Sequence, residues 1–318
     1  MKTAFQLFLV SILLVGTLSF AQEQAPAVNH NTWTSGVPMP TGVFGPAVAA
    51  LKNQIYAVGG YAASGDVADT QIYNPATNTW STGVSLPTTI ESASAAVVKN
   101  VLYVFGGYNS GALTNAVWAY NPKTKTWTGK AAMPTARAFA GAVVLKKKNI
   151  IYVIGGYNGT NFLATVESYN PATDTWTEEA PTLVTKGQLA VGLIGTTILA
   201  SDGAIAPGVI TGDTEGYDAT TNTWTTLAAD PTARVGSCYG SVGPNLFDAG
   251  GYLNNAGTAT NVNESFKLSK NKWTTALAPM PQATMFGGSV AYKGQLYCFG
   301  GWATYLGAVI NNVQIYQP

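Results

Sequence analysis

The stretch IYVIGGYNGTNFLATVESYNPATDTWTEE, residues 151–179, holds the pattern on which the chain is built. A β-rich phrase ends in two glycines and an aromatic, and a Tyr and a Trp follow, seven residues apart. The first phrase returns as IYAVGGY at 55–61, LYVFGGY at 102–108, FDAGGY at 247–252 and LYCFGGW at 296–302. A sixth copy, ILASDGA at 198–204, lies midway across the one double-length gap and carries Asp202 in place of the first glycine. Successive copies are then 47 to 50 residues apart. The aromatic–Trp pairs are Tyr73 and Trp80, Tyr120 and Trp127, Tyr169 and Trp176, Tyr217 and Trp224, and Phe266 and Trp273. Self-similarity at such a period is the signature of a repeat architecture.

Each unit reads as four short strands. Strand a is a run of small residues such as 138–145, strand b ends at the glycine pair, strand c ends at the Tyr, and strand d starts around the Trp. Tyr, Val and Ile alternate with period two rather than 3.6. Asn-Pro-x-Thr between c and d is a sequence of turn formers. The glycine pairs supply positive φ or a close approach that a Cβ would forbid.

The double glycine with its spaced Tyr and Trp resembles the kelch repeat family, over about residues 31–316. The resemblance implies an all-β fold: a six-bladed β-propeller of four-stranded antiparallel blades. The last repeat reaches strand c at Tyr316, and an orphan strand d, NTWTSGVPMP, stands at 31–40 with Trp33. The two fragments complement each other, so the N-terminal strand is expected to complete the C-terminal blade. The expected organisation is a signal peptide at 1–21, a short segment at 22–30 and a single propeller at 31–318.

Residues 1–24 carry Lys2, an apolar run from Phe5 to Leu18 and a small-x-small site at Ser19-Phe20-Ala21. That is the grammar of a cleaved export signal, and the run is short for a membrane span. An exported, periplasmic or secreted protein follows, without stable membrane insertion and with a monomer favoured. Net charge is +1 and only 10% of residues are charged, which gives no electrostatic case for nucleic acid. With His30 as the one histidine, a His-rich zinc or copper site cannot be built, and a Ser-His-Asp or Cys-His triad would have to use His30. The same shortage excludes the kelch-like copper enzyme galactose oxidase. No cofactor and no metal is expected. Cys238 on a strand a and Cys298 on a strand b are expected to be buried free thiols.

Residues present in every blade are read as structural, and blade-specific ones as candidates. Glu167, Glu215 and Glu264 share a position two before the strand c aromatic, with Gln71 and Gln314 in other blades. Three residues after the Pro of the segment joining d to the next a stand Val43, Ile90, Arg137, Val184, Arg234 and Thr284, with Glu91 and Lys186 close by. Arg137, Lys186, Arg234 and Asp202 are the candidate charged ligand-binding residues, and Glu91 and Glu215 the candidate proton-transfer groups. Tyr61, Tyr108, Tyr157, Tyr252 and Trp302 open five of the b–c loops and are candidate ligand-stacking rings, with packing against the glycines as the alternative. Arg137 and Arg234 are expected to converge on one anionic group.

The leading functional expectation is a non-catalytic exported propeller that binds a glycan, peptide or protein through its b–c and d–a loop face. The alternative is a sugar-active enzyme: exported six-bladed kelch proteins include sialic acid mutarotases, to which the chain is similar in size, export and blade number.

Overall fold

The computed structural model describes residues 30–253 and 258–318. The expected signal peptide and most of the segment after it lie outside the described residues. Six four-stranded antiparallel sheets follow one another along the chain, each ordered a-b-c-d. Blade 3, for example, consists of Gly141–Leu145, Ile150–Ile154, Val166–Asn170 and Thr175–Glu179. Strands a of neighbouring blades touch in cyclic order, those of blades 6 and 1 included, so they form the hub. Among the described residues no helix is long and apolar enough to cross a membrane.

The ring closes as expected. Thr32–Ser35 pairs with Val313–Gln317 in register Trp33↔Tyr316, which makes residues near the N-terminus strand d of blade 6. A recurring latch explains why an outer strand carries so much. In blade 4, Trp224 Nε1 donates to Ala180 O at 2.9 Å, and Asn222 Oδ1 accepts from Ala180 N and from the Tyr217 hydroxyl. Blade 6 takes the same parts from the N-terminal strand: Trp33 Nε1 donates to Ala278 O at 2.8 Å, and Asn31 Oδ1 accepts from Ala278 N and from the Tyr316 hydroxyl. The Trp and Tyr rings pack together as well, 5.0 Å apart for Trp33 and Tyr316. Each latch therefore fastens a blade's outer edge to the connection leading in from the blade before it.

A second cyclic device lies near the axis. Gly45, Ser92, Phe139, Gln188, Gly236 and Phe286, one per blade, all have φ between 54° and 61°. Each donates its N–H to the carbonyl of the equivalent residue in the preceding blade, from Ser92 to Gly45 through Phe286 to Gly236, and Gly45 to Phe286 closes the circle. The left-handed turn aims the amide sideways along the ring, and four non-glycine residues adopt it at some strain.

The cysteines correct the sequence reading. Cys238 and Cys298 form a disulfide between blades 5 and 6, with Cα atoms 5.7 Å apart. The expectation of free thiols took each residue within its own sheet. At the hub adjacent sheets pack face to face, which brings a strand a and the next blade's strand b within bonding reach. The bridge closes a 60-residue loop, for which loop entropy predicts about 4 kcal/mol of stabilisation. Reduction with dithiothreitol should lower the thermal midpoint by on the order of 10 °C, read by circular dichroism with and without reductant.

Candidate functional site

Apart from Arg234 and Asp202, which meet at one seam, the candidate charged residues do not gather at one site. Arg137 is buried in blade 3, where Nη1 donates to Gly155 O and Thr165 O and Nη2 pairs with Glu167. Lys186 pairs with Glu215 at 2.9 Å and donates to Asp213 O. Arg234 pairs with Glu264 and, at 3.3 Å, with Asp230. Burial lowers the Arg137 pKa, and the Glu167 carboxylate opposes that shift. The expected convergence of Arg137 and Arg234 on a shared anion is therefore absent: each guanidinium is paired inside its own blade, with the buried Nε of Arg137 left without a partner among the described residues. Glu215 also accepts from the Leu183 and Val184 amides, so its oxygens are occupied.

These pairs follow a rule across the blades. A cation on the d–a segment meets a Glu on strand c in blades 3, 4 and 5. Where Val43 or Thr284 stands instead of the cation, strand c carries Gln, and the amide meets the d–a backbone. Gln71 bonds Thr41 N and O, and Gln314 bonds Gln282 N and O. Both versions anchor the d–a segment to strand c. The charged version leaves buried ions that are stable only as pairs.

The aromatic candidates lie on the face bearing the b–c and d–a loops. Each ring that opens a b–c loop forms a β-bridge with the d–a residue beside it: Phe44 with Tyr61, Glu91 with Tyr108, Ala138 with Tyr157, Val235 with Tyr252, Met285 with Trp302. Tyr157 turns back on its own loop, donating to Gly159 O and packing against Phe162. Tyr252 packs against Tyr305 of the next blade. On this face the channel is plugged. Phe139 and Phe286 come from opposite blades, yet their rings are 6.4 Å apart, and Phe44 packs against both. Behind the plug runs a channel of about 390 Å³, lined by small strand a residues and Tyr239.

Beside the plug opens a pocket of about 490 Å³ between blades 1 and 6, with one residue from blade 2. It brings together three of the candidates: Tyr61, Trp302 and Glu91. Phe44 forms part of its wall, stacked on Trp302 at 4.2 Å with 17° between the planes. Leu306, 72% exposed, and Tyr61, 42% exposed, form an apolar rim. Glu91 is the one titratable carboxylate in this wall, and burial, reinforced by the charge of Asp66, raises its pKa to about 7. A carboxyl so placed holds or releases a proton near neutrality. Phe44 and Leu306 were not singled out from the sequence, since single apolar loop residues carry no signal until the loops are brought together.

Asp202 lies elsewhere, at the seam of blades 4 and 5, in a left-handed conformation with φ 59°. Asp230 and Asp248, neither singled out from the sequence, meet it there. Burial and the neighbouring carboxylates raise the Asp202 pKa, and burial pushes Asp248 up to about 6 against the pull of Arg234.

Comparison with known proteins agrees with this architecture. The model of the KLHDC2/KLHL20/DRC7 Kelch-repeats domain matches residues 27–206. A comparison with curated protein sequences gave no match. Among solved structures, YjhT superposes with a TM-score of 0.77 over 87% of this chain and 95% of its own, at 20% identity. With the blades, the latches and the matched repeats in place, the chain belongs to the Kelch-repeat propeller family.

Proposed function

We propose that the protein is an exported sugar-binding propeller whose ligand rests in the pocket between Tyr61 and Trp302. The observation that carries this reading is the convergence of Tyr61, Trp302 and Glu91 from three blades in one open cavity. Aromatic faces beside an apolar rim suit the C–H surface of a sugar ring, and a carboxylate suits its hydroxyls. Sites carried by loops on a rigid scaffold follow the same logic. The leader at 1–21 and the Cys238–Cys298 disulfide both favour an oxidising, exported setting.

One observation favours catalysis as a second reading. Glu91, with its pKa raised to about 7, could exchange a proton with a bound sugar, as a mutarotase requires. The buried arginines offer such an enzyme no anion clamp, so a neutral sugar fits this pocket better than an acidic one.

A glycan array and a sugar-anomerisation assay on the mature protein separate the two readings: binding without turnover supports the first, and turnover the second. Under either, the raised Glu91 pKa sets the pH dependence. The ionised form prevails above about pH 7 and the protonated form below it. Affinity or rate should therefore inflect near pH 7, and Glu91→Gln should flatten that inflection. An unchanged inflection in the variant would remove Glu91 from the site.

A further inference from the structure

Three aspartates break the repeat pattern at three different positions. Asp202 stands where the other blades have Gly59, Gly106, Gly155, Gly250 and Gly300. Asp230 stands where they have Met39, Leu86, Met133, Thr182 and Met280. Asp248 stands where they have Ala57, Val104, Val153, Ala200 and Cys298. All three are buried, and one carboxylate oxygen from each lies within 4.8 Å of the others. The repeat frame thus offers five internal comparisons at each position, and in none of those blades does an acidic residue stand there.

Two members are anchored. Asp202 accepts from Ser201 Oγ at 3.0 Å and from Arg234 N at 3.2 Å. Asp230 accepts from Thr232 N at 3.0 Å and lies beside the Arg234 guanidinium. Asp248 differs: the residue is 0% exposed, and its carboxylate oxygens make no hydrogen bond of normal geometry among the described residues, with the Ser237 hydroxyl and the Asp202 carboxyl as interacting neighbours. Its carboxylate points to the other two, since it belongs to the same 4.8 Å set. Arg234 cannot balance the cluster, because it also pairs with Glu264. One guanidinium thus faces four buried carboxylates. Burying an unpaired carboxylate is costly, and such groups are normally neutralised by a partner or a metal.

We propose that Asp202, Asp230 and Asp248 form a calcium site that clamps blade 4 to blade 5. The donors are hard carboxylate oxygens with no sulfur or imidazole among them, the set that a hard divalent cation takes. Separations of no more than 4.8 Å let all three oxygens reach one calcium ion at bonds of roughly 2.4 Å. The ligands come from the end of strand b in blade 4, from the connection between the blades and from strand b of blade 5. One ion would therefore tie together three segments from two adjacent blades. It would also neutralise the oxygens of Asp248.

The test uses the mature protein, stripped with EDTA and titrated with calcium chloride at pH 7.5. Calorimetry should show one ion per chain, and the thermal midpoint should rise with calcium concentration. Asp248→Ala and Asp230→Met install residues the repeat already uses, so both should fold. Each should weaken calcium binding at least tenfold and melt at the same temperature with or without the ion. Asp248→Ala should also melt above the calcium-free wild type. The proposal is overturned if the wild type gives neither heat nor a midpoint shift up to roughly 10 mM calcium, beyond the weakest extracellular calcium sites. It is equally overturned if both variants keep the full shift, or if the wild-type midpoint ignores calcium but falls as the pH is raised, which would mean that the carboxylates hold protons.

Discussion

Removal of residues 22–36 should abolish cooperative folding of the whole propeller. The segment supplies strand d of blade 6 and the latch of Asn31 and Trp33 on Ala278. Without it, Val313–Gln317 becomes an open edge, and Tyr316 loses the Trp33 ring and the Asn31 acceptor of its hydroxyl. Truncating a fully buried Trp costs about 3–5 kcal/mol; Trp33 is half-buried, and its loss together with the strand pairing removes a large share of a typical domain's stability. Exposed strand edges also invite association with other chains. The truncated protein should therefore be recovered aggregated, or should melt in a broad transition far below that of the intact chain. Trp33→Ala should show a milder form of the same loss. A truncated chain that melts sharply at the wild-type temperature would show that blade 6 stands without its borrowed strand.

The second large effect concerns the buried ion pairs. Arg137→Ala leaves the Glu167 carboxylate buried without its counter-charge and should cost about 3–5 kcal/mol in denaturant unfolding. The other blades supply the rescue. Val43 with Gln71 does in blade 1 what Arg137 with Glu167 does in blade 3. The double variant Arg137→Val, Glu167→Gln should recover most of the loss, ending within about 1–2 kcal/mol of wild type, because neither partner is then left charged. Additive losses in the double variant would mean that the pair is not the unit of stability. Neither variant should alter sugar binding beyond its effect on folding, since Arg137 does not reach the pocket.

Much of the fold was legible because a propeller repeats its instructions. The glycine pair, the Tyr–Trp spacing and the Asn-rich turn each return at a fixed period, so five good copies identify the sixth even where Asp202 replaces glycine. The ends were legible for the same reason, as the two halves of one blade. The cysteines were misread because contacts between sheets have no period along the chain. Cys238 and Cys298 belong to different repeats, and only the packing of two hub strands shows that they meet.

The charged residues were readable to a further degree than position alone suggests. A cation on the d–a segment accompanies Glu on strand c, and a neutral residue accompanies Gln in blades 1 and 6, a correlation present within this one sequence. Taken together, the two positions mark a salt bridge rather than a ligand site. Asp230 and Asp248 were equally visible as departures from their own repeat columns. The pocket was legible only in its parts. Tyr61, Glu91 and Trp302 stand out singly, but they come from blades 1, 2 and 6, and ring closure is what brings the first and last of these blades side by side.

Sugar binding by Trp302→Ala and Tyr61→Ala, measured against the intact protein on the same glycan array, tests the assignment of the pocket most directly. Circular dichroism first establishes that both variants are folded, since Trp302 also stacks on Phe44. The intact protein should bind a neutral sugar. Trp302→Ala should lose that binding, Tyr61→Ala should weaken it several-fold, and Tyr157→Ala, altered outside the pocket, should leave it unchanged. Full retention of binding by both folded pocket variants, or no binding by the intact protein, would contradict the assignment.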